Sequence, residues 1–315
     1  MKIAILDAKT LGEDIDLSCL QALGEVIAYP STDPQETASR LLGVDCVIVN
    51  KVHMDRSVLT QADRLKLICI AATGYDNICL DDMQAHGIAV CNVVGYSTHS
   101  VAQLTLSMVL SLATHLPAYN RFVESGAYTS SGVANCLVPV YHELAGKTWG
   151  IVGCGNIGRQ VAGVAQAMGC RVIVCKRTPD PAYTCVDIDT LCKQADVITI
   201  HTPLNFETEG LISKERIAAM KQNAIVVNVA RGAVCDEAAL CQAVSEGRLG
   251  GLGVDVYTKE PFPADSPYST VMHMDNVCLT PHMAWGAYEA RNRCMQEICE
   301  NIKAFYKGEQ RNRLV

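Results

Sequence analysis

Thr148-Trp-Gly-Ile-Val-Gly153-Cys-Gly155-Asn-Ile-Gly158-Arg159 is the stretch that decides how this chain is read. A short strand-like run passes straight into three glycines spaced G-x-G-x-x-G, and a Val- and Ala-rich helical stretch follows. The spacing alone occurs by chance; after a strand and at the head of a helix it marks a dinucleotide-binding turn. Gly153 permits the tight turn, Gly155 lets a pyrophosphate approach the backbone, and Gly158 lets helix and strand pack closely. Asn156 and Ile157 then offer backbone N–H groups to the phosphates at the positive end of the helix.

Moving outward, strand-length apolar runs recur downstream at Val172–Cys175, Val197–His201, Ala224–Val229, Gly251–Val256 and Val277–Thr280. Helical patterns fill the gaps. Ser213–Lys221 has Ser213 as N-cap, Asp236–Glu246 is closed by Gly247, and a long pattern covers Ala284–Lys307. Upstream the same alternation appears with runs at Ile3–Leu6, Cys46–Val49, Leu67–Ala71 and Ile88–Cys91, and helices predicted at Asp55–Arg64 and Leu80–His86. Strand–helix alternation of this kind implies parallel sheets covered on both faces. The fold class is therefore α/β, with two doubly wound domains and a final helix that returns to the first.

The 34 residues Gly87–Asn120 contain no charged side chain. Asn92, His99, Gln103 and several Ser and Thr residues interrupt the run, so it reads as a strand, a loop and one helix over Val101–Tyr119 buried in protein, not as a membrane span. That helix is also a candidate homodimer interface. The chain has 315 residues, 49% hydrophobic and 19% charged, an ordinary globular composition. Its net charge of −7 argues against a general nucleic-acid partner. Sixteen cysteines are present without a C-x-x-C pair or a zinc-site pattern, so no metal is expected. The apolar run after Met1 ends at Asp7, too short for a signal peptide. The expectation is a cytoplasmic protein whose cysteines are mostly reduced thiols acting as small core hydrophobes.

An NAD site usually carries an acidic residue at the end of the second strand to hold the ribose 2′-hydroxyl. Here Lys176-Arg177-Thr178 stand at that place, with Lys176 eighteen positions beyond Gly158. Those side chains would attract a 2′-phosphate, which favours NADP. Asp180, beyond Pro179, could curl back, so NAD stays open.

Asn50-Lys51, Ala72-Thr-Gly-Tyr-Asp-Asn77, Asn92-Val-Val-Gly-Tyr-Ser-Thr98, the glycine turn, His201-Thr-Pro-Leu204, Asn228-Val-Ala-Arg-Gly232, Gly253-Val-Asp-Val256, Glu260-Pro261 and Thr280-Pro-His282 follow one another along the chain. In that order they resemble the D-isomer-specific 2-hydroxyacid dehydrogenases over nearly the whole length. The stretch Lys259–Pro267 points to the glycerate dehydrogenase/hydroxypyruvate reductase branch. The resemblance implies a Rossmann cofactor domain, residues 99–285, inserted into a flavodoxin-like substrate domain made of residues 1–98 and 286–315.

It also implies roles. Arg231 would hold the substrate carboxylate and polarise the keto oxygen, Glu260 would pair with His282, and His282 would be the acid/base. Asp255 would bind the nicotinamide carboxamide, and Thr202, Pro203, Val229 and Ala230 would supply contacts near the nicotinamide ribose. The chemistry wants the same residue types. Reducing a 2-oxo acid needs a proton on the oxygen, and histidine, ordinarily titrating near about 6.5, can supply it. A carboxylate partner orients an imidazole and stabilises its charged form, and arginine matches a carboxylate with a planar fork. In the first domain, Thr73, Gly74 and Tyr75 form a turn after a strand whose backbone N–H groups can approach a carboxylate.

The expected activity is hydride transfer between NAD(P)H and a small 2-oxo acid, hydroxypyruvate or glyoxylate first. D-lactate or phosphoglycerate dehydrogenase is the alternative within the mechanism. For a phosphorylated substrate only Lys51, Arg56 and Lys66 are spare cations, and no appended regulatory domain is expected. A cofactor-sensing, corepressor-like binding protein is the alternative outside enzymes; the lack of any extension for partners counts against it.

Overall fold

A computed structural model describes all residues, 1–315. The chain forms two compact units, Met1–Ser97 with Trp285–Val315 and Thr98–Ala284.

In the first unit five parallel strands, β1 (Lys2–Ile5), β2 (Glu25–Ala28), β3 (Cys46–Val49), β4 (Leu67–Ile70) and β5 (Ala89–Cys91), lie in the order β2-β1-β3-β4-β5. This is the flavodoxin-like order. β1, β3 and β4 are buried on both faces, so their side chains alternate between two cores. Ile3, Ile5, Cys46, Ile48, Leu67 and Cys69 face the terminal helix Tyr288–Tyr306 through its Cys294, Met295, Ile298 and Ile302. Ala4, Val47, Val49, Ile68 and Ile70 face the other layer. The C-terminus covers the β5 edge, where Leu314 N donates to Val90 O at 2.8 Å. Cys19 and Cys299 are disulfide-bonded within this unit, and the other fourteen cysteines are free thiols.

The second unit carries β6 (Thr148–Val152), β7 (Arg171–Cys175), β8 (Thr184–Cys185), β9 (Val197–Ile200), β10 (Ala224–Asn228), β11 (Leu249–Val254) and β12 (Val277–Leu279). Their order is β12-β11-β10-β9-β6-β7-β8, all parallel. The direction of winding reverses between β6 and β9, and ligands of open α/β sheets bind at such a switch point. The uncharged helix Thr98–Ala113 packs on β10 and β11 and buries Val101, Ala102, Met108, Val109 and Leu112. A Cβ on Gly251 would stand 3.1 Å from the Leu112 side chain, so the bare strand lets this helix come close.

Three local expectations need correction. The single helix expected over Val101–Tyr119 is two, Thr98–Ala113 and Leu116–Glu124, bent by 63°. Pro117 cannot donate into the preceding turn, and the chain breaks at His115 with φ 51°. Its buried face is used inside the unit. Asp55–Arg64 holds only a short 3-10 turn, Val58–Gln61, because the Asp55 carboxylate accepts from Ser57 N at 2.8 Å and competes with a helical start. The strands β2 and β8 and the helix Pro34–Arg40 were not anticipated. That helix did announce itself: Asp33-Pro-Gln-Glu36 is a capping box with Pro at its start. No single helix is long and apolar enough to cross a membrane.

Candidate active site

The glycine turn sits at the switch point, between the ends of β6 and β9. Gly153 has φ 88°, and a Cβ there would stand 2.7 Å from Thr202 N and 2.8 Å from His201 C. Backbone therefore meets backbone, and Thr202-Pro203 is drawn against the turn. On Gly158 a Cβ would lie 2.3 Å from Gly153 O, which is the close helix–strand packing read from the sequence. Gly155 differs, having no protein atom within 4 Å of such a Cβ. The helix Asn156–Ala167 starts there without a side-chain cap, so the donors of Asn156, Ile157 and Gly158 have no side-chain acceptor. An uncapped helix start behind an open glycine fits a pyrophosphate.

Beside it lies a cavity of about 380 Å³ lined by Cys154, Gly155, Asn156, Arg159, Lys176, Arg177 and Thr178. Asp180 does curl back: its Oδ2 stands 2.9 Å from Arg159 and 3.5 Å from Lys176. Burial pushes the Cys154 thiol up, so its sulfur stays a neutral packing atom. The arrangement suits the ribose end of a nicotinamide dinucleotide.

Arg231, Glu260 and His282 follow three adjacent strands, β10, β11 and β12, at their C-terminal ends. His282 Nδ1 and Glu260 Oε2 are 2.6 Å apart, while Glu260 Oε1 accepts from Tyr257 N at 3.1 Å. Both carboxylate oxygens are thus engaged and the imidazole is oriented. His282 itself has φ 52°, left-handed backbone that a side chain rarely adopts. Strain of this kind persists only where the surroundings impose it. Here Asp255 imposes it: Oδ1 accepts from Thr280 Oγ1 at 2.6 Å and Met283 N at 2.8 Å, and Oδ2 from Ala284 N at 2.9 Å. Asp255 is fully buried, and burial pushes its carboxyl above the ordinary value against those bonds.

Arg231 is braced by Asn228, whose Nδ2 donates to Arg231 O at 2.9 Å and whose Oδ1 accepts from Ala230 N at 3.0 Å. Val229 between them is buried. Gly232 is the joint between the Arg231 turn and the segment leading to Glu260. A Cβ on it would fall 2.2 Å from Thr258 N and from Tyr257 C. Gly232 and Thr280 stand in the motifs without a role that their spacing shows, because each meets a segment about 25 positions away, whereas Asn228 acts locally on Ala230 and Arg231.

A second imidazole, His201, follows β9 beside the glycine turn. Both ring nitrogens of His201 are buried without a partner, and burial pushes it down to about 3. It is neutral at neutral pH and cannot serve as the proton donor. In the first unit, Thr73 Oγ1 donates to Val93 O at 2.7 Å and Asn92 Nδ2 to Thr73 O at 2.8 Å, which holds the Thr73–Tyr75 turn at the end of β4. His53 is exposed and faces Asp55 at 3.4 Å.

Residues 106–284 match the family of the D-isomer specific 2-hydroxyacid dehydrogenase, NAD binding domain. The chain belongs to the D-isomer-specific 2-hydroxyacid dehydrogenases. It stands near the glycerate dehydrogenase branch of that family. A hydroxypyruvate reductase of Blautia hydrogenotrophica is 35% identical over 317 residues, 98% of each chain. A glycerate dehydrogenase of Methylorubrum extorquens is 34% identical, covering 99% of this chain and 98% of that one. Among solved structures, an acyclic imino acid reductase in complex with NADPH and D-Arg superposes with a TM-score of 0.86 over 100% of both chains at 26% identity. As a member of this dehydrogenase family the protein is an oxidoreductase acting on CH–OH groups with a nicotinamide cofactor.

Proposed function

We propose that the protein reduces hydroxypyruvate and glyoxylate to the corresponding 2-hydroxy acids, with NADPH preferred and NADH accepted. The observation that carries this reading is the 2.6 Å Glu260–His282 pair, formed between the segments that follow β11 and β12, with Arg231 after the neighbouring strand β10. A bound reduced nicotinamide supplies the hydride to C2. Arg231 offers its guanidinium fork to the substrate carboxylate. His282, held through Nδ1 by Glu260, gives the proton from Nε2 to the C2 oxygen as the C=O bond becomes C–OH. Glu260 stabilises the charged imidazole before transfer. Asp255 keeps the His282 loop in its strained shape. In the first unit the Thr73–Tyr75 turn is the candidate contact for the substrate. The relatives named as hydroxypyruvate reductase and glycerate dehydrogenase support the choice of acid.

Replacing Arg231 tests the carboxylate role. Arg231→Ala should raise KM for hydroxypyruvate roughly 10- to 100-fold, the loss of charge-assisted hydrogen bonds. Arg231→Lys should recover only part, since a point charge lacks the fork. An unchanged KM in Arg231→Ala contradicts this assignment.

The NADPH preference rests on Lys176, Arg177 and Thr178 lining the cavity beside the glycine turn. The protein is further proposed to be a homodimer. Leu116, Val123, Leu137, Val138, Val140 and Tyr141 are each more than half exposed, and residues 126–141 carry no charge. Exposed apolar side chains of this number in so short a stretch call for a partner, and a second copy presents the same residues. Leu137→Asp with Val138→Asp should halve the mass measured by light scattering; an unmodified protein already monomeric at micromolar concentration contradicts the dimer.

A further inference from the structure

We propose that Asp180 sets the balance between the two forms of the cofactor, as a built-in counter-charge to the cations that a 2′-phosphate would use and as an acceptor for a ribose 2′-hydroxyl. This deepens the NADPH reading above and rests on it. At the expected acidic position, the end of β7, stands Lys176, and the carboxylate comes instead from four residues further on. It is fixed there from two sides. Oδ1 accepts from Ala182 N at 3.1 Å, and the Asp180 amide donates to Cys185 Sγ at 3.3 Å. With that anchor Oδ2 lies against both Arg159 and Lys176.

The Ala182 amide, with Lys176 and Arg159 beside it, holds the Asp180 carboxyl below the usual carboxylate range, so it is ionised at neutral pH. Two of the three cations lining the cavity are therefore already facing an anion. Arg177 alone among them has no carboxylate in this cluster. An incoming phosphate must compete with Asp180 for Lys176 and Arg159, whereas a 2′-hydroxyl finds in Asp180 an acceptor it can donate to. A site so built takes either cofactor, and its preference is a difference between two opposed charges. The side chain of Arg159 is 55% exposed, so it can turn from the carboxylate to a phosphate without unpacking the fold.

The test uses cofactor fragments and calorimetric binding, without turnover. The probes are adenosine 2′,5′-bisphosphate and adenosine 5′-monophosphate. Asp180→Asn should tighten the bisphosphate about tenfold, the order of one unit charge near a partly exposed anion site, and should leave the monophosphate unchanged or weaker. The gain should shrink with added salt. Asp180→Glu, which keeps the charge, should stay within a few-fold of the unmodified protein for both probes. Equal changes for the two probes, or none, in a variant with unaltered circular dichroism overturn the proposal. Lys176→Ala and Arg177→Ala separate it from the reading beneath it. If neither weakens the bisphosphate relative to the monophosphate, the 2′-phosphate reading itself fails. If they do and Asp180→Asn is neutral, only the role of Asp180 fails.

Discussion

His282→Ala should lower kcat with hydroxypyruvate by roughly 100- to 10,000-fold, the range that general acid catalysis supplies. Binding of the reduced cofactor, followed by its fluorescence, should change little, because the glycine turn follows β6 and His282 follows β12, at the far edge of the same sheet. Glu260→Gln should fall between the two proteins. A glutamine can still hold Nδ1 in place, but it cannot stabilise the imidazole as a cation. The neutral His201 cannot take over, since burial of its ring nitrogens opposes any charge. A His282→Ala enzyme within tenfold of full activity would mean that water or another group delivers the proton.

Gly232→Ala is expected to be the most damaging single-methyl change in the second unit. The added carbon would meet main-chain atoms at 2.2 Å on the Tyr257–Thr258 segment, and main chain cannot rotate aside as a side chain can. The two segments must part, and they carry Arg231 on one side and Glu260 on the other. Overpacking of this kind costs about 1–3 kcal/mol of stability. A displacement near 1 Å between reacting groups costs on the order of 100-fold in rate. Thermal unfolding and kcat/KM measured together on the folded fraction check both parts. Near-normal activity with near-normal Tm would show that the joint is looser than these distances say.

The inner strands were legible because parallel strands buried on both faces are continuous apolar runs, and β3 and β6 fall where the sequence places them, at Cys46–Val49 and Thr148–Val152. β2 was not legible: its residues are only half buried at a sheet edge and carry no such run. The break at His115 lay in the sequence as Pro117, hidden by an uncharged stretch that reads as one helix. At the candidate site the residue types were legible, since phosphate, carboxylate and proton each require particular chemistry. What escaped was the support. The hold of Asp255 on the His282 loop spans 25 and more positions, and the contact at Gly232 lies between β10 and the loop after β11. Asp180 was visible as a residue able to fold back; its partner Arg159 was not, being 21 positions earlier, in the helix that starts at the glycine turn.

Initial rates of the purified protein with NADPH and NADH against hydroxypyruvate, glyoxylate and pyruvate test the proposed reaction most directly. Hydroxypyruvate and glyoxylate should be reduced at higher kcat/KM than pyruvate, faster with NADPH but measurably with NADH. No oxidation of either cofactor with any of the three acids, in protein that binds the cofactor tightly, would contradict the proposed reaction.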